Sequence, residues 1–188
     1  MKQVSVLILA VFACASAFSL DVDRDELRVD PSIRIQFENY DGPPDKVETA
    51  DQIRGIGEAL GGISGPGSRG SSERYMIIRA VDPKTPRGLD ADIFVLGRSA
   101  VVDHIRNLRF IVAGYLAAAF GYSPKDSSTL AEFITVYNAV YRGNLDYFAS
   151  RFKPLVMSHL EKDKAGLALS YRQWPGATQM LIPLSPEV

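Results

Sequence analysis

Residues 99–143 read SAVVDHIRNLRFIVAGYLAAAFGYSPKDSSTLAEFITVYNAVYRG and hold the two longest helical patterns in the chain. Apolar residues recur in the first half at steps of three and four, the period of one face of an amphipathic helix. Gly121 follows the last of them and should end this helix. Ser123 as N-cap and Pro124 at the first position should begin a second helix, which closes at Gly143. The short connection favours an antiparallel helical hairpin.

Strand patterns flank this hairpin. Residues 74–81 are apolar on both alternating faces and residues 93–96 form a continuous apolar run, as expected of strands covered by helices. Residues 179–182 predict a terminal strand, and the alternation over 33–37 predicts an edge strand. Ser99 should cap the first long helix. The predicted fold class is α+β: a small mixed or antiparallel sheet of about four strands packed on the central two-helix hairpin plus shorter helices.

Capping residues and helix breakers predict the shorter helices. Residues 49–52 have the spacing of a capping box, and the helix that follows should stop at Gly61. Asn144 can cap another short helix, which Pro154 must end or kink. A last short helix is predicted within residues 165–174.

A glycine-rich stretch invites a comparison with nucleotide-binding loops. Gly55 and Gly57 have the spacing of a dinucleotide fingerprint, but no clear strand leads into them and Gly61 falls one residue late. We interpret these glycines as sites of close helix packing, followed by a surface loop over residues 61–72.

The composition is that of one globular domain. The chain has 188 residues, of which 46% are hydrophobic and 23% charged, and its formal net charge is -1 at pH 7. A nucleic-acid-binding protein normally carries an excess of basic residues, because it displaces phosphate counterions. Here 21 basic residues stand against 22 acidic ones. We therefore predict no nucleic-acid partner.

The N-terminus has the residue order of a secretory signal peptide: a lysine, an apolar run over residues 4–13, and small residues up to Ala17. We predict cleavage near Ala17 and export. In the alternative, residues 11–14 loosely resemble a bacterial lipobox and Cys14 is lipidated, although Phe12 is bulky for that motif. Cys14 is the only cysteine, so a chain cleaved near Ala17 has no disulfide and no thiolate. No transmembrane segment is expected after removal of the signal.

These patterns predict the domain organisation. Residues 1–17 are the signal peptide, and the charge-rich residues 18–31 are a flexible leader. Residues 32–184 form a single globular domain, and residues 185–188 are a tail.

Four blocks of sequence resemble the N-terminal domain of the spirochaete 83/100 kDa antigen family. They are LDADIF (89–94), VDHIRNLRFIVAGYL (102–116), FITVYNAVYRGNLDYF (133–148) and AGLALSYRQWPGATQMLIPL (165–184). The resemblance implies an exported protein of the periplasm or cell envelope, known as an antigen, with no assigned biochemical activity and no catalytic residues to carry over. Larger members of the family continue into a long charged region and a further C-terminal domain, whereas this sequence stops at Val188.

Polar residues of the two long helices form a candidate polar network. They are Asp103, His104, Arg106, Asn107, Arg109, Asn138 and Arg142. We interpret them as an internal network that fixes the hairpin, because a buried charge without a partner costs several kcal/mol. The two histidines of the chain lie far apart and lack the spacing of a metal site. We predict no catalytic residue, no cofactor and no metal site.

Two classes of function remain for this domain. We predict a non-catalytic binding or envelope-interaction module, for which an envelope protein and peptidoglycan are the candidate partners. The alternative is a secreted hydrolase-type enzyme that uses Asp92, Asp103 and His104. Asp90 and Asp92 suit paired carboxylates in catalysis or equally a pairing with Lys or Arg. A cleft where the three residues converge would favour an enzyme, whereas a shallow apolar or aromatic patch would favour partner binding.

Overall fold

The computed structural model describes residues 18–20, 35–42, 50–62, 69–71 and 74–186 of the chain. Within these ranges the domain is α+β, as predicted. In chain order the elements are β1 (Phe18–Leu20), α1 (Ala50–Gly61), β2 (Arg69–Ser71), β3 (Tyr75–Ala80), β4 (Asp90–Leu96), α2 (Ile105–Phe120), α3 (Pro124–Val140), α4 (Leu145–Arg151), α5 (Pro154–Met157), a 3₁₀ turn (Tyr171–Gln173) and β5 (Thr178–Pro186).

The strands form one antiparallel sheet in the order β1-β5-β4-β3-β2. Three longer strands make its centre, and a three-residue strand lies at each edge, so the sheet has five strands rather than about four. The predicted edge strand at 33–37 is wrong where the structure describes it: residues 35–37 are irregular, and residues 33–34 lie outside the described ranges. This segment instead pairs through Glu38 with Ser170.

Both faces of the sheet carry helices. On one face α1 and α2 bury a cluster that includes Ile77, Phe94 and Met180. On the other face α4 and α5 bury a second cluster, around Ile93 and Leu181. Helix α3 contributes to both clusters, so the predicted helical pair does lie at the centre of the core.

Helices α1 and α2 approach so closely that glycine is required at their crossing. Gly57 lies against the backbone of Ile111, and a Cβ placed on Gly114 would come within 2.5 Å of the Arg54 carbonyl oxygen. A Cβ on Gly61 would lie 2.5 Å from the Ala118 Cβ. The interpretation of these glycines as packing residues is therefore confirmed for Gly57 and Gly61.

The ends of the two long helices follow local signals, with two exceptions. The predicted end of α3 at Gly143 is too late, because the helix ends at Val140 and Tyr141 is its C-cap. Gly121 ends α2 in the left-handed conformation (φ 69°), and Ser123 caps α3 with Pro124 in its first turn, as predicted. The prediction that Ser99 caps α2 is wrong, because residues 97–100 form a turn in which the Ala100 N–H donates to the Gly97 carbonyl. The helix begins at Ile105, and His104 is its N-cap.

Three further predictions are corrected by the structure. The predicted helix at 165–174 is only a 3₁₀ turn, because Gly166 (φ 90°) and Ala165 pair with Gln179 of β5 instead. Residues 18–20, predicted as part of a flexible leader, form β1 against β5, which itself continues to Pro186 in the predicted tail. Of the helices in the described ranges, none combines the length and apolar character needed to cross a membrane.

Candidate functional site

Asp92, one of the residues predicted for the alternative enzyme, is buried in an ion pair. Its carboxylate accepts hydrogen bonds from Arg79 Nε and Nη2, each at 2.8 Å, and a short one from the Tyr115 hydroxyl. The Asp92 side chain is fully buried and that of Arg79 is 8% exposed. This bidentate geometry occupies both carboxylate oxygens within the fold.

The surroundings shift the pKa values of Tyr115 and Arg79, the two residues that donate hydrogen bonds to Asp92. Burial raises the pKa of Tyr115 well above its usual range, and the charge and hydrogen bond of Asp92 raise it further. Burial alone lowers the pKa of Arg79, but the hydrogen bonds and charge of Asp92 outweigh it and raise the value overall. The phenol therefore stays protonated as a donor, and the guanidinium stays charged.

Asp90 is neutralised by a second buried cation. Lys153 Nζ lies 2.8 Å from Asp90 Oδ2 and donates at the same distance to the Asp82 carbonyl oxygen. The Asp82 N–H donates to the other Asp90 oxygen at 2.9 Å. The side chains of Asp90 and Lys153 are 3% and 5% exposed. Pairing with a cation, rather than with a second carboxylate, is thus what the structure shows for both aspartates of β4.

The three residues of the alternative enzyme are not brought together. The Asp92 carboxylate contacts Tyr115, which lies eleven residues, or about 16 Å along the axis of α2, from His104. His104 Nδ1 instead accepts a hydrogen bond from the Arg106 N–H at 3.0 Å and caps the helix. Asp103 precedes this cap, and its carbonyl oxygen accepts the Tyr40 N–H at 2.9 Å.

The candidate polar network divides into separate contacts. Arg109 Nε donates to Thr135 Oγ1 of α3 at 3.0 Å, and its Nη1 lies 3.2 Å from Glu132 Oε1. Arg106 is exposed and Asn107 is half-buried. Of the residues proposed to link α2 with α3, Arg109 is thus the one that does so in this structure.

Asn138 of α3 and Arg142, which lies in the turn just after α3, bind β5 and the loop before it. The Asn138 amide donates to the Leu181 carbonyl oxygen at 2.9 Å and accepts the Leu181 N–H at 2.8 Å. Both guanidinium nitrogens of Arg142 lie 3.2 Å from the Ala177 carbonyl oxygen. These two side chains therefore satisfy backbone groups, and not the polar residues of α2 for which they were predicted.

An open groove of about 430 Å³ lies on the sheet face that also carries α4 and α5. We call it the sheet groove. Its floor consists of the half-buried side chains of Met76, Ile78 and Val95. Met76 and Val95 are directly opposite each other, and Gln179 follows on the next strand in the same register. Met76, Val95 and Gln179 thus form one row of side chains across three strands, and Ile78 lies two residues along β3 from Met76.

Gln179 holds the wall of the sheet groove in place. Its Nε2 donates to the His159 carbonyl oxygen and its Oε1 accepts the Glu161 N–H, both at 2.8 Å. The backbone of Gln179 pairs with Lys164 and Gly166 at the same distance. One buried amide therefore fixes the loop that carries the polar side of the groove.

Charged side chains line the rim. Lys164 is paired with Glu161 at 2.7 Å. Arg98 lies on the turn after β4 and is exposed, and no ion pair of Arg98 is found among the described residues. The groove therefore presents an apolar floor beside Arg98, a positive charge with no ion pair in the described part of the chain.

A second, smaller hollow of about 240 Å³ includes Asp103, Tyr171 and Arg172. Arg172 packs on the Tyr171 ring and lies 3.9 Å from Glu38. Tyr40, which is 37% exposed, meets Tyr171 edge to face. This hollow is aromatic but shallow, and its cation, Arg172, already contacts Tyr171 and Glu38.

Sequence reasoning missed the sheet groove. The double-faced apolar pattern of 74–81 indicated cover by helices, but helices cover only part of that face. The signal that could have pointed to the groove is Gln179, a buried polar residue inside an apolar strand. Its partners, His159 and Glu161, are too distant in sequence for a local pattern to reveal.

No group of three or more potential metal ligands occurs within the described ranges.

A family model described as Borrelia P83/100 protein matches residues 25–188. A search of curated proteins and a search of solved structures each gave no match.

Proposed function

Because the chain belongs to the Borrelia P83/100 protein family, an antigen family, we propose that it is an exported, non-catalytic binding module of the spirochaete cell envelope. The sheet groove is its proposed binding site. The proposed compartment rests on the signal-like N-terminus.

The binding role rests on one observation. The buried carboxylates of Asp90 and Asp92 are already paired with cations of the fold, whereas the sheet groove is accessible. Asp90 and Asp92 each hold a cation at 2.8 Å and are shielded from solvent. A hydrolase needs an acid or base within reach of its substrate. The sheet groove instead offers apolar contact area with a polar rim, the composition typical of a binding site.

The test is retention of the chain by envelope fractions and by sedimented peptidoglycan from a spirochaete. Wild type is compared with Met76→Asp, which places a charge on the groove floor, and with Leu155→Asp, which places the same charge on an exposed apolar residue of α5. We expect wild type and Leu155→Asp to be retained and Met76→Asp to be lost.

Melting curves of both variants accompany the assay, because Met76 is half-buried. Retention of a folded Met76→Asp variant at the wild-type level would refute the groove as the binding site. Absence of retention for the wild type in both fractions would refute the envelope role.

A further inference from the structure

The floor of the sheet groove is apolar and also offers no hydrogen-bonding group to a ligand. The backbone groups of Met76, Ile78 and Val95 lie in strands that are paired on both sides. Both polar atoms of the Gln179 amide are bonded to the loop that forms the wall. A peptide lying on this floor would leave the N–H and C=O groups that face it unpaired, which disfavours its binding there.

A hydrocarbon chain has no such groups to satisfy. It would gain from contact with Met76, Ile78 and Val95 in proportion to the apolar area it covers. An alkyl ligand is therefore favoured over an extended peptide on this floor.

The rim selects the charge of the ligand's head group. Arg98 is exposed beside the groove, and its guanidinium has no ion-pair partner within the described part of the chain. The other rim cation, Lys164, is compensated by Glu161. A guanidinium binds a carboxylate in a bidentate manner, which makes a carboxylate the complementary head group.

We propose that the sheet groove binds a fatty acid, with its alkyl chain on the Met76, Ile78 and Val95 floor and its carboxylate on Arg98. This inference rests on the proposed binding role of the same groove and adds the chemical class of the ligand. No covalent step is involved.

The test uses dodecanoate below its micellar concentration and the full chain labelled for amide NMR. We expect dodecanoate to shift the Met76, Val95 and Gln179 amides, which reports on the groove and not on any other apolar segment. Arg98→Glu should weaken binding about tenfold or more, because it removes a charged hydrogen bond and adds repulsion. The matched control is Arg87→Glu, an exposed arginine of the β3–β4 loop at the far end of the strands, which should bind like wild type.

Two further ligands test separately how much the carboxylate and the alkyl chain contribute to binding. The methyl ester of dodecanoate should bind wild type more weakly than dodecanoate does, because the neutral ester cannot form the charged contact with Arg98. An apolar tripeptide with a free carboxylate should bind more weakly than dodecanoate. Equal binding of acid and ester, an unchanged affinity in Arg98→Glu, or tighter binding of the peptide would each overturn the proposal.

Failure of this proposal is distinguishable from failure of the binding role. If dodecanoate leaves the groove amides unshifted while envelope retention still depends on Met76, the ligand class is wrong and the binding role stands. If retention is also absent, both are wrong.

Discussion

At the scale of single residues, loss of the negative charge of Asp92 should lower the stability of the fold. Asp92→Asn removes the negative charge that Asp92 places against the Arg79 guanidinium, which is 8% exposed. Removing one partner of a buried ion pair costs about 3–5 kcal/mol, so the free energy of unfolding should fall by that amount. Urea denaturation followed by circular dichroism measures it.

Asp163→Asn is the matched control, because it is the same change at an exposed position. It should alter the free energy of unfolding by less than about 0.5 kcal/mol. Similar values for the two variants would contradict the role of Asp92 as the buried counter-ion.

The Tyr115 phenol makes stability sensitive to alkaline pH. Burial and the charge of Asp92 raise its pKa above the ordinary 10.0, so the folded chain keeps this proton after the unfolded chain has lost it. Stability from this group is complete below pH 10 and decreases as pH rises, by about 1.4 kcal/mol per pH unit.

Tyr115→Phe should be less stable near neutral pH but should lose less stability between pH 10 and the alkaline limit of the assay. The decrease of unfolding free energy with pH should become shallower by about 1.4 kcal/mol per pH unit, which corresponds to one proton. The raised pKa of Tyr75 still contributes to the slope that remains. Parallel slopes for wild type and variant would show that Tyr115 is not held protonated.

At the scale of elements, the crossing of α1 and α2 depends on glycine at one position and not at another two residues away. A Cβ on Gly57 would collide with the backbone of α2, whereas a Cβ on Gly55 meets nothing within 4 Å. Gly57→Ala should lower the free energy of unfolding by about 1–3 kcal/mol, because the helices must move apart. Gly55→Ala should raise it by about 0.5–1 kcal/mol through helix propensity.

The two alanine variants are compared by thermal and urea denaturation. Since both gain the same helix propensity, the difference between them isolates the helix contact. A stabilised Gly57→Ala variant would mean that α1 does not pack on α2 in this way.

Local sequence signals predicted the elements that depend on local interactions. Ser123, Pro124 and Gly121 act within one helical turn, and each occupies its predicted cap or first-turn position. His104 was missed as a cap because its role depends on the turn at residues 97–100 and on Asn39, whose Oδ1 accepts the Ile105 N–H at 2.7 Å. That contact spans 66 residues of sequence.

The candidate site was less predictable than the fold, for the same reason. Helical spacing suggested that Asn138 and Arg142 point to the same side, and both bind β5 or the loop before it, although Arg142 lies just beyond the end of α3. The spacing did not predict the partner of Asn138, Leu181 of β5, which lies 43 residues away. The pairing of Asp92 with Arg79 likewise requires the β3–β4 register. A sequence pattern shows which side chains need partners, whereas the topology decides which partners they receive.

At the scale of the whole molecule, we expect the chain to be exported and, after cleavage, to begin near Phe18. Small residues up to Ala17 suit cleavage there, and β1 begins at Phe18, so a chain cut after Ala17 would keep this strand. Intact-mass spectrometry of protein from the native host measures the N-terminus. A chain that starts at Cys14 with the added mass of acyl groups would contradict cleavage near Ala17.

The amide of Asn138 also bears on self-association. Along the outer edge of β5, β1 pairs with residues 184–186 and the backbone of residues 164–166 pairs with Gln179. Leu181 lies between these two segments, and the side chain of Asn138 supplies the donor and acceptor that a neighbouring strand would otherwise supply. An unpaired strand edge is a template on which another copy can add its own strand. A helix side chain thus completes the edge, and this sheet is closed to growth from molecule to molecule at Leu181.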